Sequence, residues 1–399
     1  MAESNDPLSA AELLRHVAAL ADDIGPRPAG HAAEQQARQY IHGVLTRLGI
    51  QQIEEMPLRA FDTWGYSLFA PLAISLMGNA LGCSSRKGKL LGGLLGLASA
   101  YALWRTTSAY RQPLERLYPS RTTANLVARL PARGQPRQTI VLVGHMDSNK
   151  HRPAFAPEAK HSLRTKVTLG ALLPLVNGLA QIWGAAGGGR PASIAQTLSL
   201  IGIAAQIPQI IHEEREGYID GANDNASAAA CLLGLAAYLH QNPIENTEIW
   251  LAFTAAEEPG CLGMHRLLDV YGDRLRLAWF IDFEMVGTEQ IAYVTRHTSL
   301  SLLGAYRPDA ESLALAILTA EENPHLGVIG REMVITEEVG SLRRRGFRGL
   351  CLAGVGPDGW LANWHQYSDT TKNIIPAGLE RAARFALAMI EKINKKGSA

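Results

Sequence analysis

The sequence predicts an α/β protein: a three-layer sandwich around a mixed, mostly parallel central sheet, with hydrophobic helices inserted into it. Three observations carry that expectation. Beyond Arg121, short β-rich runs alternate with helical runs, the order that builds a parallel sheet covered on both faces. The composition is that of a folded chain, since 399 residues with 47% hydrophobic and 19% charged can bury a sizeable core. Four long uncharged runs then interrupt the amphipathic pattern and stand apart from it.

In chain order, apolar residues at helical spacing from about Ala11 to Leu48 are interrupted by Gly25-Pro26-Arg27-Pro28, which predicts two helices joined by a stiff loop. No charge occurs between Asp62 and Arg86, nor from Leu90 to Trp104, from Val167 to Gly189 or from Ala192 to Ile211. These runs predict two helical hairpins, insertions at 63–104 and 167–211 in a single domain spanning 1–399. A membrane-spanning helix needs roughly 20 apolar residues, and three of the runs are long enough while the Leu90 run is short. Core or lid helices, or an insertion that dips into the membrane surface without spanning, are the other readings. Arg86, Lys87, Lys89 and Arg190 lie at the hairpin tips, whereas Arg59, Arg105, Arg111, Arg116, Lys160, Arg164, Lys166 and Arg215 lie at the base. That bias predicts a cytoplasmic main domain. The clearest strands are expected at 139–143, 248–254, 277–283 and 349–353, with helices at 227–240, 264–271, 311–321 and 377–393.

A formal net charge of +1 and no Lys/Arg run interleaved with aromatics argue against a nucleic-acid partner. Cys83, Cys231, Cys261 and Cys351 form no CxxC pair and read as buried small hydrophobes. The opening Met-Ala-Glu-Ser-Asn-Asp-Pro has neither the basic region nor the apolar core of an export signal. Gly187-Gly188-Gly189 lacks the Lys-Ser/Thr of a phosphate loop and is expected to turn the second hairpin. Arg343-Arg344-Arg345 reads as a solvated helix face, with binding of a substrate carboxylate as the alternative.

Five short motifs carry chemistry, and carboxyl ends of parallel strands are where such chemistry collects. His145-Met146-Asp147 closes an apolar strand; residues two apart face the same way, so Asp147 can bond the far ring nitrogen of His145 and fix its tautomer for a metal. Gly221-Ala222-Asn223-Asp224-Asn225-Ala226-Ser227 runs into a helix and holds more capping residues than one helix needs. Glu257-Glu258 follows a strand; two adjacent carboxylates there cannot share a face, so one can bind metal while the other faces a water as base. Asp282 and Glu284 share one face of an apolar strand, where a carboxylate needs a partner or a metal. The last motif is Trp364-His365-Gln366-Tyr367-Ser368-Asp369-Thr370. Singly, each has a plain structural explanation, such as a helix cap, an acidic turn or a core histidine.

As an ordered set the five motifs resemble the M28 family of zinc peptidases, the bacterial-aminopeptidase type, over roughly 11–62 and 115–395. The resemblance implies two Zn²⁺ ions, with Mn²⁺ or Co²⁺ possible, on His145, Asp224, Glu284, Glu258 and His365, with Asp224 bridging. It implies Glu257 as general base and Asp147 as the carboxylate behind His145, with Asp282 the fallback ligand for Glu284. Glu284 stands where the family has Asp, Ser227-Ala228 where Ser-Gly is usual, and Thr336-Glu337-Glu338 where Ser-Asp-His is usual, which puts substrate preference in doubt. The implied function is a membrane-associated peptidase, most simply an aminopeptidase, acting on peptides and meeting lipid through the hairpins. A glutaminyl-cyclase-like acyl transferase with one zinc and a non-catalytic binding protein on the same fold are the alternatives. No oligomeric state follows from the sequence.

Overall fold

The computed structural model describes residues 6–396; Met1–Asn5, which open the segment read for an export signal, lie outside the described residues. In chain order the elements are α1 (Ala10–Ala18), α2 (Ala32–Arg47), β1 (Gln52–Ala60), α3 (Gly65–Gly82), α4 (Arg86–Thr106), β2 (Arg121–Leu130) and β3 (Gln138–His145). They continue with α5 (Leu163–Ala185), α6 (Gly189–Arg215), α7 (Ser227–Gln241), β4 (Thr247–Thr254), α8 (Leu262–Tyr271), β5 (Trp279–Glu284) and β6 (Gln290–His297). α9 (Ala310–Glu322), β7 (Ile329–Met333), α10 (Glu338–Arg344), β8 (Leu350–Val355) and α11 (Pro376–Lys396) complete the chain.

The eight strands form one mixed sheet in the order β1-β2-β4-β3-β5-β8-β6-β7. Its central strands β4, β3, β5 and β8 run parallel, while β2 and β6 join them antiparallel. These four central strands are the ones the sequence makes plain, because burial on both faces makes them continuous apolar runs. The outer four are less legible; β1 is an edge strand with Pro57 and alternating exposure, and β7 exposes three of its five residues, Gly330, Arg331 and Glu332. Strand alternation divides the core: Ile249, Leu251 and Phe253 of β4 face the layer of α1, α2, α7 and α11, and Trp250 and Ala252 face the layer of α8 and α10.

The predicted stiff loop after α1 ends in a buried cation. The Arg27 guanidinium donates to the carbonyls of Leu20, Gly25, Met146, Asp220 and Gly221 at 2.6–2.9 Å, tying the amino-terminal loop to the end of β3 and to the loop before α7. Burial lowers its pKa to about 10, against the pull of Asp369 and Asp147. Gly221 has a left-handed φ of 60°, and a Cβ there would lie 2.5 Å from the Asp224 carbonyl oxygen and 2.6 Å from Ser148.

α3, α4, α5 and α6 pack as two antiparallel hairpins into one bundle. Its hydrophobicity is inverted relative to a soluble core. Ser75, Gly78, Asn79, Gly92, Gly96, Asn177, Gly178, Gln181 and Ser199 are buried, while Met77, Leu91, Leu94, Leu179, Trp183, Leu198 and Ile201 are exposed. At the centre Asn79 Nδ2 donates to Asn177 Oδ1 (2.7 Å), as does Gln181 Nε2 (2.9 Å), and Asn177 Nδ2 donates to Ser199 Oγ (3.0 Å). Gly92 and Gly96, one turn apart, let α4 approach α3 and α5; a Cβ on Gly96 would lie 2.8 Å from Gly178. Two of the helices, α5 and α6, are long and apolar enough to cross a membrane, with mean hydropathies of 1.3 and 1.4. α3 is shorter than its uncharged run suggested, since only 18 residues are helical and they rise about 27 Å against a hydrocarbon core of ~30 Å.

Two smaller expectations are corrected. Cys83, at the tip of the first hairpin, is exposed rather than buried, whereas the other three cysteines are buried. The arginine run is not a solvated face: Arg344 donates to the Ser108 and Gly304 carbonyls and lies over the Tyr110 ring, and Arg343 donates to the Phe347 and Arg307 carbonyls.

Arg27→Met should lower unfolding stability by about 3 kcal/mol or more, because several buried carbonyls lose their donor at once. Denaturant titration measures this, and a loss under ~1 kcal/mol would mean that water or another donor replaces the guanidinium.

Candidate metal centre

The parallel strands deliver their side chains to the carboxyl edge of the sheet. His145 is the last residue of β3, Glu284 the last of β5, Glu257 and Glu258 follow β4, and His365 lies in the loop after β8. Asp224 comes from the loop entering α7, which Gly221 and Arg27 hold against the end of β3. His145, Asp224, Glu257, Glu284 and His365 are more than nine-tenths buried, and Glu258 is partly buried with 7% of its side chain exposed.

The donors converge on two points that share Asp224. His145 Nε2 lies 3.3 Å from Asp224 Oδ1 and 3.7 Å from Glu284 Oε2, and His365 Nε2 lies 3.2 Å from both Asp224 Oδ2 and Glu258 Oε2. Tetrahedral ligands about 2.0–2.2 Å from a metal stand roughly 3.3–3.6 Å apart, so these separations are ligand edges. The hydrogen bonds agree, because His145 Nε2, both Asp224 oxygens and Glu258 Oε1 are buried without a hydrogen-bond partner. His145/Asp224/Glu284 and Asp224/Glu258/His365 can each hold a metal ion.

Supporting residues fix this geometry. His145 Nδ1 is 3.0 Å from the Asp147 backbone carbonyl and 3.4 Å from Asp147 Oδ1, which leaves Nε2 free to face Asp224. The expected carboxylate contact is therefore the longer of two, and the Asp147 carboxylate chiefly serves another purpose. Its oxygens accept the backbone N–H groups of Glu257 (3.0 Å) and Glu258 (3.1 Å), setting the turn that separates the two side chains. Asp369 accepts the N–H groups of Asn223 (2.6 Å) and Asp224 (3.0 Å) in the same manner. Asn225 Nδ2 donates to Glu284 Oε2 (3.0 Å) and Asn149 Nδ2 to Glu258 Oε2 (2.6 Å). His365 and Ala256 adopt left-handed backbone, with φ of 52° and 53°, the kind of local strain that site residues carry.

Asn149, Asn225 and Asp369 were not singled out from the sequence. Asn225 and Asp369 sit inside the quoted motifs, but Asn149 acts on residues 109 and 216 positions away, a separation with no local signal. Asp282, the fallback ligand, stands one strand step deeper than Glu284, against Glu337 and Glu338, outside both donor groups. A further buried group, His297, Glu337 and Cys351, is accounted for by ordinary pairing: His297 Nε2 is 2.8 Å from Glu337, and its ring stacks on Tyr306 at 4.4 Å.

Burial and mutual repulsion set the charges. Burial, then the neighbouring carboxylates, push Glu257 well above the usual carboxylate range, with His145 pulling the other way. Burial raises Glu284 to about 7. Burial also works against Asp224, but His145 and His365 hold it below its ordinary value, and Glu258 and Asp224 overcome burial to lift His365 to about 9. A surplus of buried carboxylates around two histidines is a site suited to cations.

The centre opens onto a cavity of about 730 Å³ whose walls include Asp224, Glu257, Glu258, Glu284 and His365.

Residues 208–390 match the model of peptidase family M28. Over that segment, a little under half of its length, the chain is similar to the M28 peptidases. That segment includes Asp224, Glu257, Glu258, Glu284 and His365, while His145 precedes it. Solved structures share the fold of this chain over nearly its whole length. A Zn-dependent exopeptidase from Parabacteroides distasonis aligns with a TM-score of 0.55 at 16% identity, over 95% of this chain and 97% of that one. BSAP, a zinc aminopeptidase from Bacillus subtilis, aligns with a TM-score of 0.56 at 14% identity, over 98% and 96%. A glutaminyl cyclase from Tannerella forsythia aligns with a TM-score of 0.52 at 15% identity, over 96% and 97%. No curated protein matches by sequence.

Replacing Asp147 by Asn should weaken divalent-metal affinity by about 10–100-fold while the protein stays folded, since an amide cannot accept both N–H groups through charged oxygens. Competition with a chelating dye measures the change, and unaltered affinity would separate Asp147 from the centre.

Proposed function

We propose that the protein is a membrane-associated dinuclear zinc peptidase, an aminopeptidase in which Glu257 is the general base. The observation that carries this reading is the pair of donor triangles sharing Asp224, with His145 Nε2 and both Asp224 oxygens buried without a hydrogen-bond partner and Glu257 beside them. His145, Asp224 and Glu284 would hold one ion, and Asp224, Glu258 and His365 the other. Nitrogen and oxygen donors without a thiolate suit Zn²⁺ and also admit Mn²⁺ or Co²⁺. When bound, the ions would supply a more acidic water and stabilise negative charge on the scissile carbonyl oxygen.

The chain's own residues do the rest. Glu257 lines the cavity, and its Oε1 accepts the Cys261 thiol at 3.1 Å, which orients the carboxylate. Its raised proton affinity suits a group that takes a proton from the attacking water and returns it to the leaving amine. Asp147 holds the turn on which Glu257 and Glu258 diverge, so that one can act as base and the other as ligand.

The inverted bundle supports membrane association. Lipid replaces the aqueous exposure that Leu91, Leu94, Leu179, Leu198 and Ile201 would otherwise suffer, while small and amide side chains mediate helix contact inside. The two hairpins are then insertions at 63–104 and 167–211 in one M28-like domain, with the cationic base on the cytoplasmic side. The glutaminyl-cyclase reading rests on neighbours such as that from Tannerella forsythia; it expects one ion, and the two donor triangles speak against it. A binding protein without activity would not need Glu257.

Glu257→Gln should reduce peptide turnover by at least about 10²-fold with both metals retained, because it removes a base and no ligand. Metal analysis beside a peptide-trimming assay tests this, and loss of one ion would exchange the roles of Glu257 and Glu258. After a carbonate wash the protein should remain with the membrane; recovery in the supernatant would return the bundle to a lid or a loosely bound insertion.

A further inference from the structure

The cavity at the metal centre does not end at the sheet. From Glu257, Glu258 and His365 it continues between the inserted helices as far as Leu72 of α3, Leu103 of α4 and Leu173 of α5. Trp64 and Leu72 both line it, as do Leu163 and Leu173. At 1.5 Å per residue these pairs span about 12–15 Å along the helix axes. The bundle is therefore part of the wall around the reacting groups as well as a neighbour of the domain.

The chemistry of that wall limits what can enter. Most of it is aliphatic or aromatic, and three of its polar side chains at α4 and α6 are turned to their own helices: Thr106 Oγ1 donates to the Ala102 carbonyl (3.0 Å), Thr107 Oγ1 to Leu103 (3.0 Å) and Gln206 Nε2 to Gly202 (3.4 Å), while Gln209, His212 and Glu213 add polar groups on the α6 side. An extended peptide in this space would bury N–H and C=O groups with few partners, at a cost of a few kcal/mol each. A hydrocarbon chain carries no such groups. The cavity also reaches the outside where the apolar surface of the bundle meets its charged base, at Leu169, 58% exposed, and Lys166 one turn before it.

We infer that the substrate is an amphiphile, an amino acid or short peptide whose scissile amide is joined to a long hydrocarbon chain, with that chain lying in the chamber between α3, α4 and α5. The inference rests on amide hydrolysis at the proposed centre. Hydrolysis forms the bond from water oxygen to carbonyl carbon and breaks the C–N bond. One water proton passes by Glu257 to the leaving nitrogen, and the products are a carboxylic acid and an amine. The hydrocarbon can be attached on either side of the amide, and both attachments present the same chemistry to the chamber.

Two homologous series decide between the attachments: N-acyl-leucines, with the chain on the carbonyl side, and leucine N-alkylamides, with a free amino end and the chain on the nitrogen. Each is assayed with the zinc-loaded full chain in phospholipid nanodiscs. In one series kcat/KM should rise steeply from about four to about ten carbons, up to about fourfold per methylene, and level off when the chamber is full. Leu72→Trp and Leu173→Trp, which shorten the chamber at two separate walls, should lower the ratio of long-chain to short-chain kcat/KM. Hydrolysis with no dependence on chain length in either series would overturn the chamber and leave the hydrolase standing. Failure to cleave either series or any peptide, with metals bound, would remove the hydrolase reading instead. Binding of a fluorescent dodecanoyl-leucine analogue then decides the chamber alone: weaker binding by both tryptophan variants upholds it, and unchanged binding overturns it.

Discussion

One buried carboxylate organises the molecule. Asp224 stands between His145 and His365, 3.3 and 3.2 Å from their ring nitrogens, and these three residues come from separate parts of the chain. Such an arrangement persists only if the backbone on every side is fixed, because carboxylates at this depth repel one another and have no water to screen them. The fixing is done with backbone N–H groups and amides more than with counter-charges. Asp369 and Asp147 each take two main-chain N–H groups, Asn149 and Asn225 each hold a glutamate, and Arg27 closes the loops behind them. The parallel core of the sheet provides the common edge on which these groups meet.

The bundle also joins polar groups in its interior, with apolar side chains on its outside. Asn79, Asn177, Gln181 and Ser199 hydrogen-bond to one another inside, and leucines, isoleucines and a tryptophan face out. In water, the apolar exterior would favour collapse or association. In hydrocarbon, the polar interior and close glycine contacts are the favourable arrangement. Because the cavity passes from one region into the other, the charged centre and the apolar helices enclose a single continuous space.

Much of this was legible in the sequence. The central strands and the covering helices follow from apolar periodicity, and the four uncharged runs become four helices in two hairpins. The motifs at His145, Glu257 and Glu284 could be placed at strand ends because a strand's polarity is local information, and they meet the Asp224 loop and His365 in the structure. The edge strands β1 and β7 were not legible, since their half-polar composition does not distinguish them from loops. Arg343 and Arg344 read as solvated because charge alone says nothing of the carbonyls and rings that surround them.

The sequence by itself determined which residue types are available for a metal, in what order, and which segments are too apolar for an ordinary surface. Tertiary structure decided the rest: that Glu284 and not Asp282 stands beside His145, that the Asp147 carboxylate serves the turn at Glu257 and Glu258, and that the hairpins share a cavity with the centre. The physical reason is range. Periodicity, capping and strand direction are set by neighbours a few residues apart, whereas hydrogen bonds such as Asn149 to Glu258 join groups 109 residues apart and exist only once the sheet is assembled.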